Sequence, residues 1–134
     1  VGCGSGILSI AAAKLSASSV LAIDIDSAAV HATNENANAN GVAAKITAQL
    51  GSLSSIQLPT SNFNLTIANI LARVIIKLLD EERLAQTITD DGILILSGIL
   101  EEQAHNVIAA LDKHGLKVVD KRHSGEWVGI AASR

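Results

Sequence analysis

The hexapeptide Val1-Gly2-Cys3-Gly4-Ser5-Gly6 sets glycines at alternate positions directly before an apolar run that begins at Ile7. Such a segment reads as a tight turn between the end of a strand and the start of a helix. Residues without side chains let the backbone bend sharply and approach a ligand, and the free N–H groups at a helix start attract a carboxylate or phosphate. The spacing is G-x-G-x-G, and Ile7 stands where the dinucleotide fingerprint G-x-G-x-x-G needs its last glycine. A nicotinamide cofactor is therefore disfavoured, and the polar tail of another ligand is expected at the turn.

Beyond the turn, strand-like and helix-like segments alternate. Ile7, Leu8, Ile10, Ala11 and Leu15 follow helical spacing, and Val20-Leu21-Ala22-Ile23 is a short buried-strand run ending at Asp24. A second helix is predicted from Ser27 to Asn40, capped by Asp26 or Ser27 and closed by Gly41, with Asn34, Asn36, Asn38 and Asn40 on a solvated face. Lys45 to Leu50 alternates as a strand, and the Ser-rich stretch from Gly51 to Asn62, which holds the only proline, reads as a loop. Phe63 to Ala68 is predicted as a strand ending at Asn69, followed by a long amphipathic helix over Ile70 to Ile88 and a turn at Asp90-Asp91-Gly92. Ile93 to Leu96 is another buried strand. A helix over Leu100 to His114 follows, with Leu100, Val107, Ile108 and Leu111 as its apolar stripe and Gly115 as its stop.

Repeated strand-helix units imply α/β architecture with a mostly parallel sheet. The last two strand-like runs, Leu116 to His123 and Glu126 to Ala132, are joined only by Ser124-Gly125, too short a link for a crossover helix. They must form an antiparallel hairpin ending the sheet. With 134 residues and 49% hydrophobic content, the chain suits one domain, residues 1–134. Its start inside a motif that normally follows a buried strand suggests a piece of a longer protein lacking its first strand; alone it is expected to be poorly stable and inactive.

Composition narrows the functional classes. A net charge of −3 with no Lys/Arg block argues against a general electrostatic footprint on nucleic acid or on an anionic membrane. Phe63 and Trp127 are the only aromatic residues, too few for a base-stacking platform. The solitary Cys3 excludes an internal disulfide, suits a reducing, cytoplasmic setting, and between two glycines is read as a packing residue rather than a reactive thiol. No apolar run reaches the ~18 residues of a membrane span. His31, His105, His114 and His123 lack metal-ligand spacing, so no metal site is expected and all are read as surface or satisfied histidines. Neither a nucleophile elbow nor a P-loop is present. Asp80-Glu81-Glu82-Arg83 reads as a solvated helix face. Trp127 is read as a core residue in preference to a wall of a pocket mouth.

Candidate site residues fall at the carboxyl ends of strands, where nucleotide folds bind ligands. Gly2, Gly4 and Gly6 shape the turn. Asp24 ends the next strand, about 20 residues on, where an acid usually meets ribose hydroxyls; the competing reading is a helix cap. Asn69 ends a later strand and offers side-chain and neighbouring backbone acceptors to a reacting amine or to the cofactor; its competing reading is a simple turn residue.

The segments VGCGSGILSIAAAKL, LAIDID, NANANGV, LTIANILA, LILSGILEEQA and EWVGIAAS resemble the catalytic domain of the bacterial methyltransferase family that modifies the eleventh protein of the large ribosomal subunit. A family that methylates a lysine of the electron-transfer flavoprotein is also similar. The glycine turn is shared by many methyltransferases, whereas ANILA followed by SGILEEQ and a closing EW is selective. The resemblance implies a Rossmann-like class I methyltransferase sheet, S-adenosylmethionine as cofactor, and cofactor contacts at Gly2, Asp24 and Asn69, with Asn69 orienting the reacting amine. It also implies methylation of lysine ε-amino and N-terminal α-amino groups of the ribosomal substrate, with no membrane or direct nucleic-acid partner. Ser52 and Asn64 stand where the broader superfamily commonly has acids. The alternatives are a methyltransferase of another protein lysine or of a small molecule, or a noncatalytic fragment.

Overall fold

The computed structural model describes residues 1–56 and 62–134. They form two compact units, Val1–Ile56 and a second within residues 62–134. Of the loop expected over Gly51 to Asn62, residues 57–61 lie outside the described residues.

In the first unit the glycine turn leads into α1 (Ile7–Lys14), then β1 (Val20–Asp24), α2 (Ser27–Ala39), a 3-10 turn at Ala43–Lys45 and β2 (Ile46–Leu50). β1 and β2 pair in parallel, with Val20 opposite Ile46 and Asp24 opposite Leu50. Asp26 caps α2: its carboxylate accepts from the Ala28 N–H at 2.8 Å, one of the donors a helix start leaves unpaired. Gly41, at φ +69°, closes the helix as predicted. The small residues of both helices allow close packing. Ile10 and Ala13 of α1 and Ala37 of α2 bury against Ala22 and Ile46, with Cys3 packed against the same core.

The second unit contains β3 (Phe63–Asn69), α3 (Ala72–Glu81), β4 (Ile88–Leu100), α4 (Glu101–Lys113), β5 (Lys117–Ser124) and β6 (Trp127–Ser133). The four strands lie in the order β3-β4-β6-β5, with β3 parallel to β4 and β6 antiparallel to both neighbours. The expected terminal hairpin is present, and its returning strand is the one inserted beside β4. Ile75 and Leu79 of α3, Val107 and Leu111 of α4 and Leu94, Leu96, Ile99 and Ile130 of the sheet are fully buried. Each such side chain contributes about 1.5–3 kcal/mol by leaving water. β5 is outermost in the sheet, and nearly every one of its side chains is exposed, Lys117, Asp120, Lys121 and Arg122 among them.

Two expectations are corrected here. The helix predicted over Ile70 to Ile88 is only Ala72–Glu81, because Arg83 turns left-handed at φ +61° and a 3-10 turn at Leu84–Thr87 replaces the last turns. Buried polar bonding fixes that break: Thr87 Oγ1 donates to Leu84 O at 2.8 Å and pairs with Thr66 Oγ1 at 2.9 Å. The turn expected at Asp90-Asp91-Gly92 lies inside β4, where pairing with β3 slips between the Phe63 and Leu65 rungs. Gly92 makes this bulge possible, since a Cβ there would sit 2.9 Å from Ile88 Cβ, Phe63 O and Thr89 N. Asp80 lies on the exposed face expected of it and there accepts from Lys113 Nζ and pairs with His114 Nε2, both at 2.8 Å. Those two partners hold its carboxyl below its ordinary pKa.

Among the described residues no helix is long and apolar enough to cross a membrane, and no group of three or more His, Cys, Asp or Glu is placed to hold a metal.

Candidate functional site

The first unit's site is built by the glycine turn folding back onto the end of β1. Cys3 N–H donates to Ile23 O at 3.0 Å, and Gly4 N–H donates to Asp24 Oδ2 at 3.0 Å. The other carboxylate oxygen, Asp24 Oδ1, accepts from Asp26 N–H at 3.1 Å. Asp24 is thus not the cap of α2, a role that Asp26 fills; it links the turn to the strand end. A carboxylate offers about four lone-pair sites, so acceptor capacity remains for other donors.

The three glycines divide the work. Gly2, Gly4 and Gly6 all have positive φ, at +68°, +52° and +82°. A Cβ on Gly4 would meet nothing within 4 Å, so the backbone there faces open space. A Cβ on Gly6 would press to 3.0 Å from both Thr33 Cγ2 and Thr33 Oγ1. Gly6 therefore also serves the approach of the turn to α2, while Gly4 is the position at which the backbone is bare toward solvent. Gly6 N–H closes the turn on Cys3 O at 2.8 Å, and α1 starts with no side-chain cap, leaving its first N–H groups without intrahelical partners.

Two residues of α2 that sequence reasoning passed over hold this turn. Thr33, with 0% of its surface exposed, donates through Oγ1 to Gly4 O at 3.1 Å and lies 3.2 Å from Cys3 Sγ. Asn36, expected on a solvated face, donates through Nδ2 to Ser5 O at 2.8 Å. The only sequence signal was their i, i+3 spacing, which puts both on one side of α2.

The second unit has a cavity of about 690 Å³ where β3, β4 and the β5–β6 hairpin end, lined by Asn69, Leu71, Gly98, Arg122, His123 and Trp127 among others. Asn69 is the last residue of β3 and lies opposite Ser97; Ile70 N–H donates to Ser97 O at 3.1 Å. The next residue, Gly98, sits at φ +77°, and a Cβ there would come within 2.8 Å of Ile70 O and 2.9 Å of Asn69 Oδ1. The β4–β6 ladder slips at this point, between Leu96 and Ile99, so a bulge lies directly beside the Asn69 amide. Asn69 is exposed.

Trp127 is not the core residue that was expected. It is 52% exposed and faces the cavity from the first residue of β6, opposite Ser124 and Leu100. His123 also lines the cavity, its Nδ1 held 2.7 Å from Glu101 Oε2, while Lys121 reaches Glu101 Oε1 at 3.3 Å. Among the described residues no carboxylate lines this space. His31 and His114 likewise have carboxylate partners, Glu35 at 3.4 Å and Asp80 at 2.8 Å.

A glycine turn opening a helix, an acid at the end of the following strand and a reversed strand inserted before the last parallel one place the chain in the class of Rossmann-like α/β proteins. A solved protein of the NADB-Rossmann superfamily from Streptococcus agalactiae shares the fold at a TM-score of 0.80 and 16% identity, over 100% of this chain and 60% of its own. The chain belongs to the ribosomal protein L11 methyltransferase (PrmA) family, whose model matches residues 1–134. A ribosomal protein L11 methyltransferase of Pelotomaculum thermopropionicum is 42% identical over 132 residues, 98% of this chain and 42% of the relative. The crystal structure of ribosomal protein L11 methylase from Lactobacillus delbrueckii subsp. bulgaricus matches at a TM-score of 0.91 and 40% identity, over 99% of this chain and 67% of its own. The chain therefore spans less than half the length of the curated relative.

Proposed function

We propose that the protein containing this chain transfers methyl groups from S-adenosylmethionine to ribosomal protein L11, with residues 1–134 as its methyltransferase domain. The acceptors under this reading are lysine ε-amino groups and the N-terminal α-amino group. One observation carries the donor half: the glycine turn is clasped to Asp24 through the Gly4 N–H while the backbone of Gly4 stays bare and the start of α1 uncapped. That arrangement suits a ligand with a carboxylate tail and a hydroxylated sugar. The turn of Gly2, Gly4 and Gly6 takes the tail, and the free lone pairs of Asp24 take the ribose hydroxyls.

S-adenosylmethionine supplies a methyl group on a sulfonium, which an amine lone pair can attack. The acceptor must therefore be neutral, and a free lysine with pKa near 10.4 requires about 4.6 kcal/mol to be deprotonated at pH 7. With no carboxylate on its described walls, the second unit's cavity does not favour ammonium, and its apolar side chains penalise it through desolvation. Asn69 then acts as an orienting group: its amide oxygen accepts an N–H of the amine and so fixes the direction of its lone pair. Orientation of this kind is worth effective molarities of ~10⁵–10⁸ M in well-aligned systems.

Calorimetric titration of the full-length protein with S-adenosylmethionine, followed by mass spectrometry of ribosomal protein L11 peptides after incubation, tests both halves. Binding and mass increments at amino groups are expected. Asn69→Ala should lower turnover at saturating donor at least about tenfold. Absence of donor binding refutes the donor site, and full turnover in Asn69→Ala refutes the orienting role.

A further inference from the structure

We propose that Asn36 and Thr33 are positioning residues for the donor site, acting from α2 through the backbone of the glycine turn. The inference rests on the donor reading given above and extends it to residues that never touch the ligand. All described peptide bonds are trans, so each carbonyl and the N–H that follows it point in opposite directions. Thr33 Oγ1 draws the Gly4 carbonyl toward α2 at 3.1 Å, which turns the Ser5 N–H away from α2. That N–H meets no acceptor among the described residues. Asn36 Nδ2 draws the Ser5 carbonyl the same way at 2.8 Å, which turns the Gly6 N–H to the far side, where it closes on Cys3 O at 2.8 Å.

Because Cys3 O already takes the Gly6 N–H, the Asn36 bond holds the turn closed, while the Thr33 bond leaves the Ser5 N–H on the face away from α2 as a donor of the kind that anion-binding concavities use. Without the two bonds, glycines free to adopt many backbone angles would let either peptide plane rotate, and part of the binding free energy would go into restoring the turn. Thr33 also limits the turn sterically, because its side chain occupies the space next to Gly6. The turn is therefore preorganised by side chains roughly thirty residues further along the chain.

The test uses the full-length protein with S-adenosylhomocysteine, a non-reacting probe, in a calorimeter. Asn36→Ala and Thr33→Val each remove one bond and are expected to weaken probe binding by about three- to tenfold, the range of one hydrogen bond. Thr33→Ser keeps the hydroxyl and should bind within about twofold of the parent. The KM for the protein acceptor, and kcat at saturating donor, should stay within about twofold in all three, a split that general loosening of the fold would not produce. Probe affinity unchanged in both Asn36→Ala and Thr33→Val overturns the proposal, as does an equal loss in acceptor KM. Should Thr33→Val not fold, Asn36→Ala decides alone. A parent protein that fails to bind the probe overturns the donor reading itself, an outcome distinct from a parent that binds and variants that bind equally well.

Discussion

Replacing Gly6 by alanine separates two demands that the turn makes on its glycines. Gly6 sits at φ +82°, where an L side chain costs about 1–2 kcal/mol. The added Cβ would also lie 3.0 Å from two side-chain atoms of Thr33 and 3.1 Å from its Cα. Thr33 is fully buried and cannot swing aside, so overpacking adds about 1–3 kcal/mol. Gly6→Ala should therefore destabilise the protein by about 2–5 kcal/mol. Gly4→Ala meets nothing within 4 Å and carries only the backbone penalty at φ +52°, about 1–2 kcal/mol. Urea titration of the full-length variants, followed by circular dichroism, reads the difference as a lower midpoint for Gly6→Ala. With m of about 1–3 kcal/mol/M, a gap of roughly 1 M separates the two. Thr33→Ala in the Gly6→Ala background should recover part of the loss, though not all, because the Thr33 backbone remains close. Equal midpoints for Gly4→Ala and Gly6→Ala would refute the assignment of Gly6 to packing against α2.

Two further perturbations bear on the acids. Asp24→Ala removes the acceptor of the Gly4 N–H together with the proposed ribose contact; each charge-assisted bond is worth about 1.5–3 kcal/mol, so donor binding measured by calorimetry should weaken at least about tenfold, and unchanged affinity would contradict the ribose role. Asp80 is held below its ordinary value of 3.8 by Lys113 and His114. A depressed carboxyl stabilises the fold above the unfolded value and loses that contribution as pH falls through the folded one. The melting temperature of Asp80→Asn should thus lie below that of the parent at neutral pH and converge with it well below pH 3.8, whereas a constant gap across that range would exclude the ion pair as its cause.

What sequence reasoning recovered was local. The turn into α1, the Asp26 cap, the Gly41 and Gly115 stops and the terminal hairpin all depend on residues within a few positions of one another, so pattern and turn chemistry suffice. The misread elements depend on partners far along the chain. The predicted long helix breaks where Thr66 on β3 reaches Thr87, a contact between residues 21 positions apart. Asn36 looked like one of four solvated asparagines because its partner, Ser5, lies 31 positions earlier. Trp127 looked like core because it is large and apolar, whereas its place at the turn of the β5–β6 hairpin leaves it exposed on the wall of a cavity. Asp24 and Asn69 were identifiable as candidates because strand ends are where this class of sheet places its chemistry.

The outermost strand of the second unit's sheet bears on behaviour at high concentration. Among the described residues no strand pairs with the outer edge of β5, and such an edge is a template on which another molecule's strand can dock and begin a fibril. Its exposed Lys117, Lys121 and Arg122 make such stacking repulsive, since identical copies in register would set like charges side by side. Solubility of this region is thus written into the same strand that ends at the cavity wall, and neutralising those cations trades colloidal safety for a stickier rim.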